Sequence, residues 1–178
     1  MVPASCGAPA NFAEAVWCNG RPPRPDRELP VIRAALFRMR SIGGVCALLA
    51  QTVGAMLGKD RVRLFDAGER PGVGGLSPVG VGEQGYLALS RDLITTYSDA
   101  AHRSGNTDSR GVARPETLQL VLAHEADHLL GAGHVDPDGY LTPNTLVCSD
   151  IPVALDGARR TAHGFSAPAP TETPPNLP

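Results

Sequence analysis

The stretch "HEADHLLGAGH", residues 124–134, carries three of the chain's five histidines in eleven positions. On an α-helix, residues four apart lie one above the other on the same face. His124 and His128 have that spacing, so their imidazoles can converge on one ion about 2.0–2.1 Å from each nitrogen. Glu125 lies about 100° round the helix from His124 and about 60° from His128. Its carboxylate can therefore flank the ion without ligating it. This is the HExxH arrangement, which takes two ligands and a base from one rigid turn. Zinc needs a third protein ligand if one position is to stay open for water. His134 is the candidate. On an unbroken helix it would point roughly 240° away from His128, so the chain has to break first. Gly131 accepts the left-handed conformation that ends helices, and Gly133 adds freedom one step before His134. The expected ligands are His124, His128 and His134, the expected cofactor is Zn2+, and the expected catalytic residue is Glu125.

Reading outward, "PETLQLVLAHEADHLL" (115–130) is the clearest helix in the chain. Pro115 suits its first turn and Glu116 favours the positive end of the helix dipole. After the histidines, "DPDGYLTPNT" is turn chemistry throughout, and "LVCSDIPVALDGARRTAH" can hold a short final helix. Upstream, Ile32, Ala35, Leu36 and Met39 recur at helical spacing. Gly43-Gly44 interrupts, and Val45, Leu48, Leu49, Val53 and Met56 continue a stripe that Gly58 stops. This pattern fits one kinked helix or two short ones. "RVRLFDAG" (61–68) and "GYLALS" (85–90) read as strands, the second with Tyr86, Ala88 and Ser90 on one face and Leu87 and Leu89 on the other. Between them "PGVGGLSPVGVGEQG" (71–85) reads as a loop or irregular hairpin. Residues 1–29 read as irregular, because "NGRPPRPDRELP" alternates proline with charge. The tail "APAPTETPPNLP" is expected to be disordered.

Bulk properties narrow the function classes. A length of 178 residues suits one domain with a sizeable core. The formal net charge of −2 argues against nucleic acid and anionic membranes as partners, and 4% aromatic content argues against a base-stacking surface. The most apolar stretch, "GGVCALLAQTVGAMLG" (43–58), is too short for a transmembrane span and reads as a core helix. "MVPASCGAPANF" lacks the basic start and apolar run of a signal peptide. The four cysteines, Cys6, Cys18, Cys46 and Cys148, form no CxxC pair, which argues against a four-thiolate zinc site. Two disulfides would fit an exported protein, with three possible connectivities. Cys6–Cys18 with Cys46–Cys148 is preferred, since the first pair brackets a short loop. Four free thiols in a cytoplasmic protein is the alternative.

The extended pattern H-E-x-x-H-x-x-G-x-x-H resembles that of the metzincin metalloproteases. The match is residue by residue: His124, His128 and His134 as zinc ligands, Glu125 as base, Gly131 as the turn. It covers eleven residues and does not identify a subfamily. The resemblance implies an α+β fold, with a small twisted sheet, two main helices above an active-site cleft and a small irregular C-terminal lobe. It divides the chain into an irregular segment 1–29, a catalytic domain 30–163 and a Pro-rich tail 164–178. Within the domain, residues 30–131 form an upper lobe with the active-site helix, and 132–163 form a lower lobe. The family places a methionine in a turn below the zinc. No methionine follows Met56 here, and Leu141 is the expected stand-in, with Pro143 shaping the turn. Leucine is close in volume to methionine, and such swaps usually cost under ~1.5 kcal/mol.

The activity implied is peptide-bond hydrolysis by a zinc-activated water, with Glu125 as general base and no covalent intermediate. The family adds the substrate as a strand to an exposed sheet edge. Tyr86, Leu87 and Ala88 are the candidate substrate-binding residues, an internal strand being the competing reading. A peptide or protein is the expected partner, a monomer the expected state, and a secreted or cell-envelope location is favoured over the cytoplasm. Two competing functions remain: a non-catalytic zinc-stabilised binding domain, and an intracellular HExxH protease cleaving one dedicated regulator. Of the other polar residues, Asp136 is a weaker third-ligand candidate or an orienting partner for a ligand histidine. The sole downstream glutamate, Glu172, lies in the tail. Asp127 is expected to point off the metal face towards solvent or an arginine. His102 and His163 read as exposed bystanders, Tyr140 as packing, Asp138 as a turn residue and Trp17 as an anchor for the N-terminal segment.

Overall fold

The computed structural model describes residues 6–66, 74–96, 117–135, 137, 141–145, 147 and 148. Among them the chain is α+β, with helices on both faces of a small mixed sheet. Two helices run back to back, α2 (Glu28–Ile42) and α3 (Gly44–Gly58). They are separate because Gly43 and Gly44 take φ of +81° and +56°, values that glycine tolerates and other residues resist. The buried stripe of α2 is Ile32, Ala35, Leu36 and Met39, as the spacing predicts. On α3 the stripe is turned from the expected one. Cys46, Leu49, Ala50, Val53 and Met56 are buried, while Leu48 is 51% exposed.

The strands are β1 (Val62–Phe65), β2 (Gly75–Leu76) and β3 (Leu87–Ser90). Their order is β1-β3-β2. β1 lies parallel to β3 with Val62 opposite Leu87, and β2 lies antiparallel to β3 with Gly75 opposite Leu89. Alternation of side chains divides the sheet's two faces. Val62, Leu64, Leu87 and Leu89 enter the main core with α2, α3 and the helix that follows. Phe65, Tyr86 and Ala88 face the other way and pack with Val16 and Trp17. The short helix α4 (Arg91–Thr96) follows β3, and α5 (Thr117–Leu129) lies at the centre, buried at every position from Leu118 to Leu129.

Two expectations are corrected here. Residues 1–29 are not wholly irregular, since Phe12–Asn19 forms helix α1. Asn11 caps it by accepting from the Glu14 backbone N–H at 2.9 Å, while the Glu14 carboxylate accepts from the Ala10 N–H at 2.7 Å. The Trp17 indole donates to the Arg61 carbonyl at 3.2 Å, and the Arg63 guanidinium lies 4.0 Å from the centre of its ring. Trp17 is thus an anchor, for a helix instead of a loop. The second correction concerns Tyr86, Leu87 and Ala88. β3 is the middle strand, hydrogen-bonded on both edges, and these three side chains are buried. An incoming peptide has no free edge there. The outer strands are β1, whose free side carries an isolated bridge to Arg21, and β2, whose outer edge lies next to α5 with no pairing among the described residues.

The disulfides pair Cys6 with Cys18 and Cys46 with Cys148, the preferred connectivity. No described helix is long and apolar enough to cross a membrane.

Candidate metal centre

A helix buried along its whole described length has no solvent face, so each of its polar side chains needs a partner inside the protein. The polar residues of α5 account for the site. Gln119 donates to the Cys148 carbonyl at 3.1 Å. His124 and His128, one turn apart, aim their Nε2 atoms at the same point, 3.1 Å from each other. Helix α5 then stops as the sequence requires. Gly131 has φ +99°, its N–H bonds the His128 carbonyl at 2.9 Å, and the Ala132 N–H reaches back to the Asp127 carbonyl at 2.9 Å. That pair of bonds is the left-handed helix stop. It turns the chain so that His134 Nε2 comes to 3.1 Å from His128 Nε2 and 3.2 Å from His124 Nε2.

This triangle fits a metal ion. Tetrahedral bonds of 2.0–2.1 Å would set ligand nitrogens about 3.3 Å apart, close to the spacing here. The tautomer of His128 supports the same conclusion. Its Nδ1 lies 2.9 Å from the Ala132 carbonyl, which can only accept. Nδ1 must therefore carry a proton, so in the neutral ring Nε2 presents its lone pair to the other two rings. A carbonyl that fixes a ring in this way is the usual support for a ligating histidine. The three histidines form a group able to hold a metal ion, with His124 and His128 buried and His134 exposed.

Glu125 is 5% exposed and lies under the edge strand. The Ser77 hydroxyl donates to its Oε2 at 2.6 Å. Burial pushes the carboxyl up to about 7, while the Ser77 bond and the nearby His128 pull it down. A cation at the histidines would lower it further. β2 can pass this close because residue 75 is glycine. A Cβ there would stand 2.7 Å from Glu125 Cγ and 3.0 Å from Val121 Cγ1. Gly75 and Ser77 were not singled out from sequence, because 71–85 reads as a loop or irregular hairpin and no strand is visible there.

Asp127 departs from expectation. It is 3% exposed and binds neither solvent nor arginine. Its Oδ2 accepts from Thr142 Oγ1 at 2.6 Å and from the Asn144 N–H at 2.9 Å, and its Oδ1 accepts from Asn144 Nδ2 at 2.8 Å. These bonds tie helix α5 to the turn that begins after Leu141. Leu141 is buried and Pro143 is exposed. His102, Asp136, Asp138, Tyr140, His163 and Glu172 lie outside the described residues. Comparison with protein-family models, with curated proteins and with solved structures finds no match to the chain.

Proposed function

We propose that the protein is a zinc-dependent endopeptidase of metzincin type. The reading rests on one observation above the others: three imidazole nitrogens within 3.1–3.2 Å of one another, with the Glu125 carboxyl on the adjoining position of the same helix. A neutral three-imidazole donor set suits zinc. Bound zinc would supply a double positive charge and an open position, enough to bring a water's pKa near ~7 and to polarise a carbonyl. Glu125 accepts the proton of the attacking water and returns it to the departing amine. Ser77 holds one oxygen of that carboxylate and leaves Oε1 for the water. An extended peptide lies along the outer edge of β2, above Glu125, by strand addition. The turn at Leu141 and Pro143 supplies the floor below the metal and a wall for the adjoining pocket. Two disulfides favour an oxidising compartment, hence a secreted or cell-envelope protein. They count against the intracellular regulator protease.

The test is zinc analysis of the purified, oxidised protein together with digestion of a broad peptide library. The expected result is about one zinc per chain and cleavage. A Glu125→Gln variant should keep its zinc and lose about 10²–10⁴ of kcat. Cleavage at the wild-type rate by that variant would remove Glu125 from the chemistry. A second reading, a non-catalytic zinc-stabilised binding domain, is favoured by the burial of Glu125 at 5% exposure and its bond to Ser77. Bound zinc without cleavage of any peptide would establish it.

A further inference from the structure

We infer that Asp127 is a positioning residue for the third metal ligand, acting on His134 through the turn at 142–145. The inference rests on the reading of the three histidines as a metal site. His124 and His128 need no such help, because they stand on one buried helix. His134 is exposed and lies beyond the helix stop, on chain without regular structure. The residue after it is held by a backbone bond, Val135 N–H to the Leu141 carbonyl at 2.9 Å. Leu141 leads into a turn closed on itself. The Thr142 N–H donates to Thr145 Oγ1 at 2.9 Å, and the Thr145 N–H to the Thr142 carbonyl at 3.2 Å. The Thr142 hydroxyl gives its proton to Asp127, so the hydroxyl of Thr145 is the donor in their 2.7 Å contact.

The connection therefore runs from helix α5 through the Asp127 carboxylate to Thr142 and Asn144, on to Leu141, and across to Val135 beside His134. Asp127 adjoins His128, so it fixes the turn in the frame of the other two ligands. Anchoring of a buried turn alone does not require a carboxylate. Replacing a buried charged network with apolar residues is often neutral for stability. Bonds from one carboxylate to both the side chain and the backbone of the turn select one geometry, and a metal site needs its third ligand in one place.

The experiment measures Zn2+ affinity by chelator competition and the Co2+ ligand-field spectrum, using the full, oxidised chain. Asp127→Asn should weaken Zn2+ binding about 10–100-fold, the usual effect of losing an outer support of a ligand. Its Co2+ spectrum should move towards that of His134→Ala. In the His134→Ala background, Asp127→Asn should add little, because both changes remove the same ligand's contribution. Thr142→Val removes the 2.6 Å bond while keeping the side-chain shape, so it should move both readouts the same way. It stands in if Asp127→Asn does not fold. Wild-type affinity and spectrum in these variants would overturn the inference, as would losses that multiply with His134→Ala. A wild-type chain that takes up neither Zn2+ nor Co2+ would overturn the metal reading itself, before any variant is made.

Discussion

The Cys6–Cys18 disulfide closes twelve residues around α1, whereas Cys46–Cys148 joins α3 to the turn near the histidines across 102. At the N-terminal end, the helix is local, capped by its own neighbours and pinned to the sheet by Trp17. At the histidine end, three segments far apart in sequence must meet: α5, the chain around His134 and Leu141, and β2 with Ser77. The contrast teaches that the two staples have different tasks. One closes a loop within the N-terminal segment, and the other links α3 to the turn beside the histidines.

Removing each disulfide tests that division and should give the largest effects. Cys46→Ser/Cys148→Ser opens the long loop and should lower stability by about 3–5 kcal/mol. The same variant should weaken Zn2+ binding, because Cys148 lies just beyond the turn that Asp127 holds and its N–H bonds the Asn144 carbonyl at 3.3 Å. Cys6→Ser/Cys18→Ser should cost about 2–3 kcal/mol and leave Zn2+ affinity unchanged. Thermal melts with chelator competition check both. Equal losses of zinc affinity in the two variants would erase the distinction. Next in size is Gly131→Ala. At φ +99° a Cβ is strained by about 1–2 kcal/mol, although the space around it is open, the nearest atom being Gly80 Cα at 3.9 Å. The expected result is lower stability together with weaker zinc binding, since the strain falls where the chain turns back towards His134.

How much of this was legible in sequence follows from how local each determinant is. His124, Glu125, His128 and Gly131 could be read because a helical turn and its stop are short-range geometry. Asp127 could not, since its partners Thr142 and Asn144 are fifteen and seventeen residues away. β2 was hidden for a related reason. Two residues in a glycine-rich run carry no alternation, and their strand character comes from pairing with β3. Without that partner, β3 itself could be mistaken for an edge. Helix α1 has a local signal, Asn11 followed three residues later by Glu14, which a reading of 1–29 from its prolines does not use. On α3 the side chains are so uniformly apolar that periodicity left the face ambiguous. The structure buries the face that carries Cys46 and turns Leu48 outward.

The smallest expected effect belongs to the N-terminal end, and it asks whether that end is independent of the metal. Glu28, 7% exposed at the start of α2, accepts from the Arg21 guanidinium at 2.5 Å and from the Arg24 N–H at 2.7 Å. Arg21 in turn forms an antiparallel bridge to Leu64 of β1. The Arg21 bond, ahead of the opposing effect of burial, lowers the Glu28 carboxyl to about 2. A depressed carboxylate stabilises the fold fully above its unfolded value, and that contribution is lost as pH falls through the folded one. The window therefore runs from pH 4.5 down to about 2. At neutral pH, Glu28→Gln should lose about 1–2 kcal/mol, the low end for a hydrogen bond to a charged group, because solvent screens Arg21, whose side chain is 33% exposed. The gap between variant and wild type should close across the acid window, because protonation makes the two side chains alike. Zinc affinity at neutral pH should not change, since nothing in the bonds of Glu28 reaches α5 or the turn at 142–145. A Glu28→Gln variant with weakened zinc binding would show that the two ends are coupled through the sheet, and the division between the two staples would fail.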